Sequence, residues 1–204
     1  MIKRFVDILL SLIGLILLSP LLLIISLLIL LMSGYPILFK QVRLGKLSSE
    51  FTIYKFRTMR KGVSLSSKHD EMRITIIGNL LRRTSLDELP ALFNVLKGDM
   101  SLVGPRPLLI KYKDRFNDYQ NQRHLINPGI TGLAQIKGRN KISWEEKLDY
   151  DIYYVQNKNF FLDIKILFIT FFQIITGWGI SQEGKKIMPE FYDSKKIKNK
   201  SDDS

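Results

Sequence analysis

The sequence predicts an α+β fold that is mostly helical: an N-terminal re-entrant membrane helix, a small β-hairpin, and a helical domain carrying interfacial amphipathic helices. Three observations predict it. From Ile8 through Phe39 no side chain is charged. Two segments rich in β-branched and aromatic residues, Ile37–Arg43 and Phe51–Thr58, flank a polar stretch from Gly45 to Glu50. Beyond them, helically spaced segments alternate with loops marked by glycine and proline.

As one straight helix, Ile8–Met32 would be roughly 37 Å long, enough for a hydrocarbon core of about 30 Å. A cleaved signal peptide does not fit, because the apolar run is too long and no small-residue cleavage site follows. A spanning helix and a re-entrant one both remain open. Re-entry is favoured by Ser19-Pro20 at mid-run: proline removes the bond to the Ile16 carbonyl, and Ser19 is placed to bond back to the Leu15 carbonyl. Basic residues flank both ends, Lys3 and Arg4 before and Lys40, Arg43 and Lys46 after. Charge therefore gives no clear sidedness, as expected if both ends face the same side.

The β-branched pair reads as a hairpin. Residues 60–70 lack periodicity and read as a loop. Thr75–Arg83, Leu86–Lys97 (stopped by Gly98), Tyr112–Gln122 and Trp144–Gln156 carry helical spacing. Pro128 through Arg139 is a glycine-spaced loop. Phe160–Ile175 is apolar but broken by Asp163, Lys165, Thr170 and Gln173, which suits an interfacial helix better than a second crossing. The lysine-rich stretch after it reads as a disordered or headgroup-facing tail. The chain thus divides into a membrane helix over residues 1–36, a domain over 37–180 and a basic polar tail over 181–204.

With 204 residues the chain has room for one compact domain. It contains no cysteine, which excludes disulfides and thiolate metal sites. Its net charge of +12, from 31 Lys+Arg against 19 Asp+Glu, suits an anionic partner. No helix-turn-helix, RNA-recognition or zinc pattern points to nucleic acid, and neither a dinucleotide fingerprint nor a P-loop is present.

The chemistry concentrates in Arg82–Pro107, RRTSLDELPALFNVLKGDMSLVGPRP. Adjacent carboxylates Asp87 and Glu88 follow Arg82 and Arg83. Asp99 and Arg106, the latter locked between prolines, come shortly after. Ser85 to Glu88 has the form of a helix capping box, in which case both acids merely complement the helix dipole. Pro90, just past the first turn, is not what good helix design would place there. The chemical reading is a phosphate held near Arg82 and presented to Asp87, a competent nucleophile towards phosphorus, with Glu88 as base or Mg²⁺ ligand. Gly104-Pro105-Arg106-Pro107 is either a structural turn or a rigid guanidinium fork for phosphate. Lys55 and Arg57 close a predicted strand with two cations, and Arg139 lies in the glycine-spaced loop; each is a weak signal alone. His124, with no partner pattern around it, reads as structural.

Together these pieces resemble the small monotopic phosphoglycosyl transferases of the bacterial sugar transferase family. The matching elements are Lys3-Arg4 with Asp7, Ser19-Pro20, YKFRTM at 54–59 and LRRTSLDELP at 81–90. NVLKGDMSLVGPRP at 94–107, PGITGLAQ at 128–135, GRN at 138–140, and the segments YDIYYVQN and FLDIKI within 150–166 continue the match. Leu133 departs from it, since many relatives carry tryptophan there.

The resemblance implies an enzyme at the cytoplasmic face of the bacterial inner membrane. It would move a sugar-1-phosphate from a UDP-sugar to undecaprenyl phosphate and release UMP, in two steps through a phosphosugar–aspartate intermediate. It makes Asp87 the nucleophile, puts Mg²⁺ at the Asp87–Glu88 pair, and makes Arg82 and Arg106 phosphate binders. A homodimer stays open. The short enzymes that begin glycan assembly with diacetylbacillosamine look closest, with galactose, glucose or an N-acetylhexosamine as other donors. A non-catalytic membrane scaffold is the alternative, but the presence of both acids argues against it.

Overall fold

The computed structural model describes residues 2–60, 62, 72–138, 141–176 and 191. The uncharged N-terminal run forms two helices rather than one: α1 (Ile2–Leu17) and α2 (Ser19–Ser33), bent by 61° where they meet. Pro20 sits in the first turn of α2, where its missing N–H is harmless. Ser19 Oγ donates to the Ile16 carbonyl at 2.8 Å, not to Leu15 as expected. That is the carbonyl Pro20 leaves without its α-helical donor, so the pair both breaks the helix and repairs the break. No single described helix is long and apolar enough to cross a membrane, but the bent pair together is.

Both ends of this pair are fastened to the rest of the protein. Near the start, Arg4 donates to the carbonyls of Val95 and Leu96, and Asp7 is buried, accepting from Ser101 Oγ at 2.8 Å and the Leu102 N–H at 3.1 Å. At the far end Arg57 donates to the carbonyls of Ser33 and Gly34. Ile25 and Ile29 of α2 pack on Phe56, Ile77 and Leu81. The outward faces stay apolar and exposed, as at Leu17, Leu23 and Leu31.

The hairpin forms as predicted. β1 (Leu38–Leu44) and β2 (Glu50–Phe56) pair antiparallel, with Phe39 opposite Lys55, Gln41 opposite Ile53 and Arg43 opposite Phe51. Directly opposed residues share a face, so those six side chains point one way. Phe51 and Ile53 on that face pack against Ala91, Val95 and Met100. Asn94, fully buried, ties its helix to β2: it accepts from the Tyr54 N–H at 3.1 Å and donates to the Thr52 carbonyl at 2.7 Å.

α3 (Ile76–Thr84) begins at Thr75, whose hydroxyl caps the Gly78 N–H at 3.0 Å. A 3₁₀ helix, Leu86–Ala91, then leads into α4 (Leu92–Lys97), which Gly98 ends at φ 101. The capping box expected at Ser85 does not form. Ser85 adopts φ 58, closes α3 and makes no side-chain cap bond. Arg82 and Arg83 therefore lie in the last turn of α3, where the dipole favours cations, and not at an anion-binding helix start. Pro90 explains the tighter helix, since it has no N–H to give an α-helical ladder.

Two elements were not expected. β3 (Ser101–Val103) pairs in parallel with β4 (Gly129–Thr131), inside the segment read as a loop. Their approach needs glycine: a Cβ on Gly129 would come within 2.1 Å of the Gly104 nitrogen. The helix expected over 112–122 is broken into a 3₁₀ turn at Ile110–Arg115, the short α5 (Asp118–Asn121) and a second 3₁₀ turn at Gln122–Leu125. Asn117 starts α5 with a full capping box, which interrupts the longer pattern.

α6 (Leu133–Lys137), α7 (Trp144–Asn157) and α8 (Phe160–Thr176) complete the fold. Leu133 is buried with Val103, Tyr154 and Ile166, so the smaller side chain at that position is core. α8 keeps Phe161, Phe168 and Phe171 exposed. Of the tail, Phe191 is described, and it is not headgroup-facing: it is buried among Leu44, Tyr112, Phe116 and Leu148, with its ring stacked on Phe116.

Candidate active site

The shared hairpin face, the 3₁₀ helix and the Gly104–Pro107 turn meet around a small pocket. Arg43, Ile53, Lys55, Glu88, Ala91, Arg106 and Gly129 are among the residues that line it. Glu88 is its organising acid. Its Oε1 accepts from Lys55 Nζ at 2.5 Å and from Arg106 Nη2 at 2.6 Å, and its Oε2 from Arg106 Nη1 at 3.3 Å. Burial alone would raise its pKa, but Arg106 and Lys55 outweigh that and hold it well below the usual carboxylate range. Glu88 is an ion-paired carboxylate, not a poised base.

Asp87 is the opposite. Among the described residues it has no hydrogen bond or ion pair within reach. Its pKa is raised, first by burial and then by the neighbouring Glu88 charge, with Lys55, Arg106 and Arg82 offsetting part of the shift. A half-buried carboxylate with idle lone pairs and raised basicity has the chemistry to serve as a nucleophile or as a cation ligand. Among the described residues no group of three or more acidic or histidine side chains is placed to hold a metal. Asp87 nevertheless fits one carboxylate ligand to a divalent ion completed by phosphate oxygens, the usual mode for Mg²⁺. Glu88 does not fit without first giving up its cations.

Of the other expected residues, Lys55 joins the site. Its pKa is lowered by burial despite the Glu88 contact. Arg106 joins it as well, its pKa raised chiefly by Glu88. Arg82 is bonded through Nε to Thr58 Oγ1 at 2.8 Å and is close enough to act on the Asp87 charge. Arg57 is not among the residues lining the pocket: it is buried and donates to the carbonyls of Ser33 and Gly34, fastening the end of α2 to the domain. Arg139 lies outside the described residues. Asp99 is held by Lys97 at 3.2 Å and contacts Asn94.

Sequence reasoning missed the support behind Arg106. Arg123 Nη2 donates to the Arg106 carbonyl at 2.7 Å and to Asp151 Oδ2 at 2.8 Å. The Arg123–Asp151 pair is almost wholly buried. Beside it His124 is neutral, its pKa lowered to about 3 by burial and by Arg123, and its ring meets Phe116 edge-on. It is structural, as expected. A basic residue before a histidine and an acid on a distant helix carry no local signal that they meet.

The whole arrangement, acids and arginine turn included, falls within residues 1–177, which match the bacterial sugar transferase family. The chain belongs to that family. Its relatives include an uncharacterized sugar transferase, EpsL, of Bacillus subtilis, 53% identical over 154 residues, 73% of this chain and 75% of the relative. A UDP-N-acetylgalactosamine-undecaprenyl-phosphate N-acetylgalactosaminephosphotransferase of Aeromonas hydrophila is 41% identical over 87% of this chain. A UDP-glucose:undecaprenyl-phosphate glucose-1-phosphate transferase of Klebsiella pneumoniae is 39% identical over 84% of it. The chain spans only 44% and 39% of the length of these last two.

Proposed function

We propose that this sugar transferase moves a sugar-1-phosphate from a UDP-sugar to undecaprenyl phosphate at the cytoplasmic face of the bacterial inner membrane. The observation that carries the reading is the contrast between the adjacent acids: Glu88 is consumed by two cations while Asp87 is idle beside them. An Asp87 oxygen attacks the sugar-bearing phosphorus of the donor, and the bond from that phosphorus to the bridging oxygen breaks, releasing UMP. An oxygen of the lipid phosphate then attacks the same phosphorus and frees Asp87. Arg106 and Lys55, fixed by Glu88, offset charge on the phosphoryl oxygens as it develops. Mg²⁺, with Asp87 as its protein ligand, supplies further charge neutralisation on the phosphates when bound. Relatives that transfer N-acetylgalactosamine phosphate and glucose-1-phosphate support a donor sugar of the hexose or N-acetylhexosamine class.

Exposure to a panel of UDP-sugars with Mg²⁺ and no lipid tests the two-step route. UMP should appear at up to one equivalent, and the peptide containing Asp87 should gain the sugar-phosphate mass. Turnover that requires both substrates together, with no adduct, would sink the intermediate.

The bent α1–α2 pair acts as a re-entrant anchor in this reading. Arg4 and Asp7 at one end and Arg57 at the other bind the same domain, which supports re-entry over a crossing. An added cysteine near residue 2, in a chain with none of its own, should react with impermeant reagent from the cytoplasmic side. Labelling only from the other side would show that the segment spans.

A further inference from the structure

Arg43 was expected only as a flanking charge, yet the hairpin register puts it on the same face as Lys55, and it lines the pocket with Lys55, Glu88 and Arg106. Its partners are neutral. Nη2 donates to Gln41 Oε1 at 2.5 Å and Nη1 to the Pro107 carbonyl at 3.3 Å. Nε is buried with no partner at all. Among the described residues no carboxylate lies within ion-pair distance of Arg43, because Glu88 is already shared between Lys55 and Arg106. The lining therefore holds three cations against one acid.

Arg43 is half-buried and lines the same pocket as Arg106, whose side chain is 47% exposed, and two guanidinium groups on one lining repel unless an anion sits with them. In line with this, the Arg43 pKa is lowered to about 10, first by burial and then by Arg106, with Glu88 offsetting part of the shift. The Pro107 contact also ties Arg43 to the turn that carries Arg106.

We infer that Arg43 is a phosphate-binding side chain of this site, bracketing one phosphate group together with Arg106. The inference rests on the phosphotransfer reading for which phosphate that is: the diphosphate of the donor nucleotide or the phosphate of the lipid acceptor.

The test uses the full chain and its Arg43→Gln and Arg43→Lys variants, with folding checked by thermal melting. Each substrate is varied in turn, and UMP and inorganic pyrophosphate binding are measured by calorimetry. Arg43→Gln should weaken pyrophosphate binding and raise one KM by about 10- to 100-fold, the worth of a charge-assisted bond. Arg43→Lys should move the same quantity less, because it keeps the charge and loses the fork. Weaker UMP binding with a raised KM for the UDP-sugar assigns the donor diphosphate. Unchanged UMP binding with a raised KM for polyprenol phosphate assigns the acceptor. Pyrophosphate binding and both KM values within twofold of the parent, with only kcat reduced, would overturn the inference and leave Arg43 a brace for Pro107. If Arg43→Gln does not fold, the same quantities in Arg43→Lys decide. A parent that releases no UMP from any donor overturns the transferase reading alone, since pyrophosphate binding still tests Arg43.

Discussion

Two clusters of carboxylate and guanidinium meet at Arg106, and they are built in opposite ways. Behind the residue, one arginine and one aspartate, Arg123 and Asp151, cancel each other with side chains 2% and 5% exposed, and Arg123 holds the Arg106 carbonyl. In front, Arg106 and Lys55 share Glu88, Arg43 adds a cation with no acid of its own, and Asp87 is left without a partner. The rear pair is matched one charge to one and closed off from solvent. The front cluster has surplus positive charge and an idle carboxylate, which is what a phosphate ester and an attack on phosphorus require. Composition barely distinguishes the two; closure of the charge balance does.

The sharpest way to break that contrast is Asp87→Asn. Loss of a covalent nucleophile should cut UMP release by more than about a thousandfold. Because Asp87 makes no described bond, the melting temperature should not fall. Its raised pKa means that ionised Asp87 costs the fold stability above its ordinary titration range, so the neutral amide should be level with the parent or slightly more stable at pH 7. A clear drop in melting temperature would mean that Asp87 has a structural partner and is not idle.

Glu88→Gln comes next. It leaves Lys55 and Arg106 facing each other without a counter-ion, and activity should fall by about 100-fold or more. Here the sign of the pH effect reverses. Glu88 is held below its ordinary value, so it adds stability at neutral pH that fades as pH falls below about 4.5 towards its depressed pKa. Acid melting curves of parent and variant should therefore converge towards low pH. Curves that stay parallel would remove Glu88 as the keystone of the front cluster.

These contrasts also mark how far the residues could be read before the fold. The hairpin was legible because β-branched runs flank a polar turn, and α3 and α7 because their residues carry helical spacing; the structure adds the caps at Thr75 and Ser143. β3 and β4 were not legible: three residues each show no period, and they pair in parallel across a long separation. Ser85 misled, because its capping-box spacing was real but its αL conformation ends the helix before it. Local sequence singled out the two acids and Arg106, and the fold does bring Glu88 and Arg106 together. Arg43 and Arg123 were not, since strand register and an interhelical contact give them their roles.

Asp151→Asn probes the rear pair. It leaves Arg123 buried without a counter-charge and should cost about 3–5 kcal/mol of stability. Below the new melting temperature, activity should fall far less than in Glu88→Gln, because the Arg106 side chain keeps its front contacts. A loss as deep as that of Glu88→Gln, with melting unchanged, would make the rear pair part of the chemistry.

The smallest effect is expected at Lys147, which lies between the clusters and interacts with both Arg106 and Asp151. Its pKa is lowered to about 8, first by burial and then by Arg106, with Asp151 pulling the other way. Unfolded, it would titrate near 10.4. Between those values the unfolded chain binds more protons at this residue, so Lys147 makes stability rise with pH across that window. Arg43, lowered to about 10, contributes in the same window, so the parent slope alone says little. Lys147→Met removes one contribution and leaves the others in place, and the difference between the two slopes isolates it. Because Lys147 is only partly buried, solvent screening keeps that difference small. A variant whose stability rises as steeply as the parent's from pH 8 to 10 would show that Lys147 titrates alike folded and unfolded, so that neither burial nor the Arg106 charge shifts it.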